Sequence, residues 1–460
     1  MFTKIKDSLK SINYKLFITL LLMGLIPTVY TTVRIFFLGQ MPDSYTFSIA
    51  AQLQWVNLLY EIMQEAFILP LYFFIGKAFA DSASEHNADE TTQASPTNQV
   101  KTGLLIVFSI YTVLSVLIIV FAEPLIGFMQ QDITVIKETA TYIRLETIAA
   151  IFATLIKFVM VVLVTITRKR HLFSILGLQM ILTILLDTFL ISDLSVSAKL
   201  GVNGIAITNI FTNVLIFGLA IVLLHRENII VFSKGHLSFG WAKGLAKVGG
   251  ISGLESFVRN IAFMLMIVRM VNMVGEQGTF WVANNFIWGW LLLPVIQLGE
   301  LVKRDCGENN RKTIQQKTLG YFALTTLFVA VWFISIPLWK PFMHNVLQLE
   351  NYNDIFFLAL ISIGFYVLFA YNNVIDSIFY GIGKTNYMLF QSIVINVLVY
   401  GGAFILWISG IYIPTLTNIA LLFAFGTGLD SILTYGIFMW MLKKERLSIF
   451  MKPQIESAGN

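Results

Sequence analysis

The sequence predicts an all-α membrane protein with twelve transmembrane helices in two six-helix, pseudo-symmetric lobes. Three observations predict it. Of 460 residues, 57% are apolar and only 12% charged, with a mean hydropathy of +0.77. A soluble domain carries roughly 25% charged residues, so this chain cannot cover a water-facing surface, and a soluble enzyme is excluded. Apolar runs long enough to cross hydrocarbon recur along the whole chain, and its basic residues alternate between the connections in a regular way.

About 20 mostly apolar residues cross a bilayer. The first run, 16–38, follows four lysines (Lys4, Lys6, Lys10, Lys15). It exceeds a signal-peptide core and is followed by no small-residue cleavage site, so it reads as a retained helix. The next runs are 47–79, 102–121, 143–167, 173–192 and 204–224. A second set follows at 250–274, 279–301, 319–339, 354–381, 387–409 and 418–442. Little is left over for a soluble domain. The stretch 81–99, DSASEHNADETTQASPTNQ, reads as a polar, disordered loop between the second and third helices.

Positive charge tests the count, because cytoplasmic connections of membrane proteins are rich in Lys and Arg. With twelve spans, 23 of the 31 Lys and Arg fall on the side of the two termini. They include Arg168, Lys169, Arg170, Lys303, Arg304, Arg311, Lys312, Lys443 and Lys444. Only Lys137, Arg144, Lys199 and Lys340 fall opposite, and Arg34, Lys157, Arg259 and Arg269 lie inside spans. Both termini are therefore expected in the cytoplasm, and the compact loops suit a bacterial cytoplasmic membrane.

The halves read alike. The second helix ends LPLYFFIGK (69–77) and the eighth LPVIQLGELVK (293–303). FAEPLIGFMQQD (121–132) follows the third, and IPLWKPFMHNV (336–346) the ninth, with the pairs Phe128-Met129 and Phe342-Met343. Lobes spanning 1–231 and 232–460, each starting on the same side, make parallel repeats, an arrangement that places a substrate site near the midplane between them.

An ionisable side chain at mid-membrane costs about 2.5 kcal/mol or more, so each is a functional candidate. Asp187 follows a run of aliphatics and must hold a cation, an arginine or a proton. Arg34 makes a partner for Asp187 or for Glu65. Glu61 and Glu65 share a helix face at i and i+4, where two carboxylates share a proton, clasp a cationic substrate or meet water. Glu255 has Arg259 four residues on. Asp376 follows Tyr371, Asn372 and Asn373 in the tenth helix. Lys157, Arg269 and Asp430 are weaker candidates, since long basic chains near helix ends reach the interface. Phe365, Tyr366, Phe369, Tyr371, Trp288 and Trp290 suit flat organic cations, or simply lipid and core.

These stretches also carry a resemblance. LLDTFLIS (185–192) with LGVNGIAITNIFTN (200–213) resembles the fifth-to-sixth helix signature of the multidrug and toxic compound extrusion (MATE) family. FLGQMPDSYTFSIAAQ (37–52), EPLIGFMQQDITVIKETATYIRL (123–145), ISGLESF (251–257) and DSIFYGIGKT (376–385) are similar to further patterns of that family. The resemblance implies a cation-coupled exporter. It places Asp187 at the aspartate of the first-lobe cation site, with Asn209 adding an oxygen and Thr183 where many members have Asn. It places Glu255 at a functional glutamate and Asp376 at the acid of the second-lobe site. Where the family often has an aspartate, this chain has Arg34, a departure that bears on a simple Na⁺ or H⁺ site in the first lobe.

No GxxxxGK[ST] stands in the chain, Cys306 is the only cysteine, and no HExxH or Cys/His cluster occurs. The expectation is therefore a non-enzymatic antiporter without cofactor, driven by Na⁺ or H⁺ through Asp187, Asn209, Glu255 and Asp376. Arg34, Glu61, Glu65, Arg259 and Tyr371 would line the path of an amphipathic, often cationic, organic substrate. Its partners are that substrate and membrane lipid, with no nucleic acid, and a monomer suffices. The alternative is a flippase for a lipid-linked oligosaccharide or precursor, in which Arg34 and Arg259 hold a phosphate. A non-transporting scaffold gives no reason for costly intramembrane charges in both halves.

Overall fold

The computed structural model describes residues 2–41, 45–68, 70, 71, 74–76, 78, 79, 96–166, 168–231 and 237–449. Among them every regular element is helical, as hydrocarbon demands of a chain that must satisfy each backbone polar group internally. Among the described residues ten helices are long and apolar enough to cross a membrane: Tyr14–Gly39, Pro96–Val120, Ile133–Thr165, Arg170–Leu190, Gly201–Arg226, Ala242–Met273, Lys312–Val346, Tyr352–Gly381, Thr385–Ile408 and Leu416–Lys444. Gln277–Leu291 and Leu293–Gly307 form an eleventh as a pair bent by 54°. The bend has a local cause: the widened turn Ile287–Leu291 precedes it, and Pro294 follows in the first turn of the next helix.

The expected count of twelve is thus met at eleven places. The run 47–79 is the exception. Its chain forms Thr46–Ala51 and Leu53–Phe67, interrupted at Gln52. Beyond Phe67 the described residues 71, 74–76, 78 and 79 are helical again. Residues 69, 72, 73 and 77 lie outside the described residues. So does the expected polar loop up to residue 95; its last four residues instead open the helix Pro96–Val120, with proline in the first turn where no N–H is needed.

The element Leu293–Pro341 counts 49 residues, yet it is no straight rod. Asp305 Oδ2 accepts from Lys317 Nζ at 2.6 Å and from the Tyr321 hydroxyl at 2.6 Å, and the Thr313 hydroxyl donates to the Asp305 carbonyl at 2.8 Å. Sixteen residues of straight helix would put Tyr321 about 24 Å from Asp305. The chain doubles back between residues 307 and 312, and two antiparallel spans meet around Asp305.

The chain packs as two units. One comprises Met1–Thr28 and Thr279–Asn460, the other Val29–Gly278. The helix Ala242–Met273 packs with the second. In the first unit the amphipathic helix Phe2–Lys10 docks through Ser8, whose hydroxyl accepts the Gly320 N–H at 2.7 Å. Ile12, Leu16 and Phe17 join a core with Leu298, Tyr321, Ile378 and Phe438. The helix Tyr14–Gly39 contributes to both units, and Pro27 stands beside the changeover.

Repeat-related features recur within each unit. Met129 and Met343, from the two Phe-Met pairs, are both buried. The non-glycine residues of positive φ include Gln130 and Asn228 in the second unit and Gln348 and Arg446 in the first. Each of the latter stands the same number of positions after its counterpart.

Candidate functional site

In the unit Val29–Gly278, four helices bring polar groups together. Arg34 Nε donates to Asp187 Oδ2 at 2.8 Å and its Nη2 to Asp187 Oδ1 at 3.2 Å, a two-point ion pair. The same Nη2 donates to Asn209 Oδ1 at 3.1 Å. Asn209 Nδ2 in turn donates to both oxygens of Glu146, at 2.8 and 3.0 Å. The Tyr142 hydroxyl lies beside Glu146, one turn earlier on the same helix. The Asp187 side chain is 1% exposed and that of Arg34 13%; Glu146 is 4% exposed. Thr183 is buried one turn before Asp187.

Of the two partners expected for Arg34, the structure places Asp187 against it, and Glu65 elsewhere. Glu146 is the residue that sequence reading missed. Its neighbours at three and four positions are Tyr142, Ile143, Ala149 and Ala150, so it is an acid with no basic residue on its own helix face, a signal that was available.

The second cluster lies where the helix Ala242–Phe263 runs along Leu53–Phe67. Arg259 donates from Nε to Glu255 Oε1 at 3.2 Å, from Nη1 to Glu61 Oε1 at 3.3 Å, and from Nη2 to Glu65 Oε1 at 2.8 Å. Three carboxylates thus surround one guanidinium. Lys157 Nζ donates to Gln64 Oε1 at 2.9 Å on the same stretch. The cluster is half open: the Arg259 and Glu61 side chains are 43% and 40% exposed, those of Glu65 and Glu255 11% and 8%. Glu65 Oε2 is buried and accepts no hydrogen bond. The expected i,i+4 pair of Glu255 and Arg259 is present, joined by Glu61 and Glu65 on the neighbouring helix.

In the unit Met1–Thr28 with Thr279–Asn460, Asp376 Oδ1 accepts from Gln391 Nε2 at 3.1 Å. Gln391 Oε1 accepts from Thr434 at 2.9 Å, and Asp430 Oδ2 accepts from Asn372 Nδ2 at 3.2 Å. Thr434 is one turn past Asp430 and Asn372 one turn before Asp376, so three helices close a polar ring. Asn372 is fully buried and its Oδ1 accepts no hydrogen bond. The Tyr371 hydroxyl pairs with that of Thr326 at 2.8 Å. Trp288 packs against Phe369 and Tyr366, with ring centroids 5.2 and 6.3 Å away, and Trp290 against Phe342 at 5.5 Å. Glu255 and Asp376, expected to act together, belong to different units.

Each arrangement sets carboxyl groups among amide, hydroxyl or guanidinium donors, buried around Asp187 and half open around Arg259. Among the described residues no group of three or more His, Cys, Asp or Glu side chains is disposed to hold a metal ion.

No protein-family model matches the sequence, and no characterised protein matches it as a sequence. Solved structures match the fold. A point mutant of the MATE transporter VcmN from Vibrio cholerae superposes with a TM-score of 0.71 at 14% identity, covering 96% of this chain and 98% of that one. An inward-facing multidrug resistance MATE transporter of the MOP superfamily gives 0.67 at 15%, covering 91% and 99%. A MOP superfamily transporter from Pyrococcus furiosus, described as having a binding pocket of reverse polarity that suggests a different function, gives 0.67 at 16%, covering 96% and 98%. The fold expected from the resemblance is therefore the fold observed.

Proposed function

We propose that this protein is a secondary active exporter of amphipathic, often cationic, organic compounds, working by alternating access in exchange for Na⁺ or H⁺. One observation carries the reading. Glu61, Glu65 and Glu255 surround Arg259 on a face that is buried on one side and open on the other. In a fold shared with solved transporters, such a site holds an ion or an organic cation without stranding a charge in lipid. Binding of a proton or Na⁺ to its carboxylates loosens their hold on Arg259 and on a competing cationic substrate, which couples ion entry to substrate release. Asp187 with Asn209, and Asp376 with its ring, are the further coupling candidates; Tyr371 borders the path. The protein works as a monomer in a bacterial cytoplasmic membrane, with both termini in the cytoplasm.

A flippase for a lipid-linked precursor is the second reading, favoured by the Pyrococcus furiosus transporter of like fold and reversed pocket polarity. It needs Arg34 and Arg259 to hold a phosphate, and both are already engaged by carboxylates.

The test is efflux of a fluorescent organic cation from vesicles under an imposed Na⁺ or pH gradient, with Asp187→Asn, Glu255→Gln and Asp376→Asn beside wild type. Gradient-driven efflux lost in one variant names the coupling acid. Efflux that survives all three replacements refutes coupling through these acids. No efflux under either gradient, with folded protein, favours the lipid reading.

A further inference from the structure

The buried cluster around Arg34 has a charge inventory that does not close. It holds one guanidinium and two carboxyl groups, those of Asp187 and Glu146, in an environment almost without water. With both acids ionised the cluster carries one uncompensated negative charge, which such surroundings strongly disfavour. One proton makes it neutral. The geometry says which acid takes it.

Asp187 receives Arg34 on both oxygens, at 2.8 and 3.2 Å, which is how an ionised carboxylate meets a guanidinium. Glu146 accepts from a neutral donor, the Asn209 amide, on both oxygens, with the neutral Tyr142 hydroxyl beside it. The amide cannot be turned round: a guanidinium only donates, so the Asn209 oxygen must face Arg34 and its NH₂ must face Glu146. Arg34 therefore neutralises Asp187 directly and reaches Glu146 only through a neutral side chain.

Among the described residues, the other elements packed on this helix supply no second counter-charge. Tyr30 faces Arg34 and Asp187 from the helix Tyr14–Gly39. From Leu53–Phe67, Tyr60 pairs with Ser115 of Pro96–Val120 at 2.6 Å, and Tyr111 of that helix stacks on Tyr60; its Lys101 lies two residues from Gly103, which packs on Phe158, about 18 Å along the helix from Glu146. The short helix Thr46–Ala51 carries no ionisable side chain. Arg144 points to Glu123 at the exposed end of the helix, and Lys157 binds Gln64 about 16 Å further along.

We propose that Glu146 is the proton-binding group of this cluster, protonated while Arg34 is locked on Asp187, so that one guanidinium, one carboxylate and one carboxylic acid leave the cluster neutral. The inference deepens the exporter reading by naming the ion as a proton and Glu146 as its holder. It rests on that reading only for the use made of the proton.

Two measurements on the intact protein in lipid nanodiscs at neutral pH test it without transport. Gln has the shape and neutrality of a protonated glutamic acid, so Glu146→Gln is expected to melt within about 2 °C of wild type. Asp187→Asn strands Arg34 and is expected to melt lower by on the order of 5 °C. The infrared spectrum of wild type minus Glu146→Gln is expected to show the carbonyl band of a protonated carboxyl group. The reverse order of melting assigns the proton to Asp187, and an infrared difference without that band means Glu146 is ionised; either overturns the proposal, as does a Gln variant that fails to fold. Failure of gradient-driven efflux alone refutes the exporter reading and leaves this assignment standing.

Discussion

A β-carbon placed on Gly249 would lie 1.8 Å from the carbonyl oxygen of Ala66, and one on Gly253 2.7 Å from the Ala66 β-carbon. Two helices thus touch backbone to backbone, the small-residue contact by which membrane helices pack closely. Gly249→Ala forces the backbones apart and is expected to destabilise by about 3 kcal/mol or more. Gly250→Ala, on the open side of the same turn with nothing within 4 Å, is expected to be neutral or mildly stabilising. Melting of the two variants side by side checks this; equal melting points would mean the close approach is not there.

The pairing of Arg34 with Asp187 makes a prediction about coupling. Either Arg34→Gln or Asp187→Asn alone leaves an unpaired buried charge, at about 3–5 kcal/mol. The double variant strands neither charge and is expected to recover most of that loss. A thermodynamic cycle measures it, and additive losses would show that the two side chains do not interact in the folded protein.

Cys306 offers a probe of the Asp305 hairpin. It is the only cysteine in the chain and is 1% exposed, next to an aspartate that receives Lys317 and Tyr321. Maleimide is expected to label it slowly in the folded protein. Asp305→Ala unties both partners and is expected to raise the rate at least about tenfold through local opening. Fast labelling of wild type would contradict the burial.

Outside the spans, Glu227 accepts from His171 at 2.8 Å and from Arg168 at 2.7 Å. The His171 hydrogen bond foremost, with the Arg168 charge, holds its carboxyl below the ordinary glutamate range. A depressed carboxyl contributes stability that is full above its unfolded value and fades as the pH falls through its folded value. The melting gap between wild type and Glu227→Gln is therefore expected to be constant above about pH 5 and to close below about pH 4. A surface pair is worth little, so the gap is about 2 °C at most. A gap that widens on acidification would reverse the sign and refute the assignment.

Much of the architecture was legible because hydrocarbon leaves a chain few choices. Run length located eleven of the spans, and a charge in lipid must find a partner, which made pairing of Arg34 foreseeable. Which carboxylate it would find was not, since that depends on how far each helix is rotated about its axis. Glu146 is hard to read as a site from sequence, because it stands near the start of an apolar run beside Arg144, where charges usually reach the interface. The partner of the helix Ala242–Met273 was not legible either, since it is decided by Gly249 and Gly253 fitting Ala66, a matter of shape that hydropathy does not register. The break at Gln52 was hidden for a similar reason. Its carboxamide donates to Gln131 at 3.0 Å and to Asn272 at 2.7 Å, partners 79 and 220 positions away.

The helix Ala242–Met273 is therefore fastened in three chemically different ways. Near its start it lies flush on Ala66 by shape alone. Near its end Asn272 and Gln52 exchange hydrogen bonds at 2.7 and 3.2 Å, and Asn272 also donates to the Met129 carbonyl at 2.8 Å. The middle, at Arg259, is held by ion pairs to three carboxylates. Acid and salt act on ions and leave carboxamides and glycine contacts untouched. They would undo the central button while both ends of the seam stay sewn. The widened turn Met264–Val268, just beyond that button, supplies the slack for the cloth to gape there without tearing free.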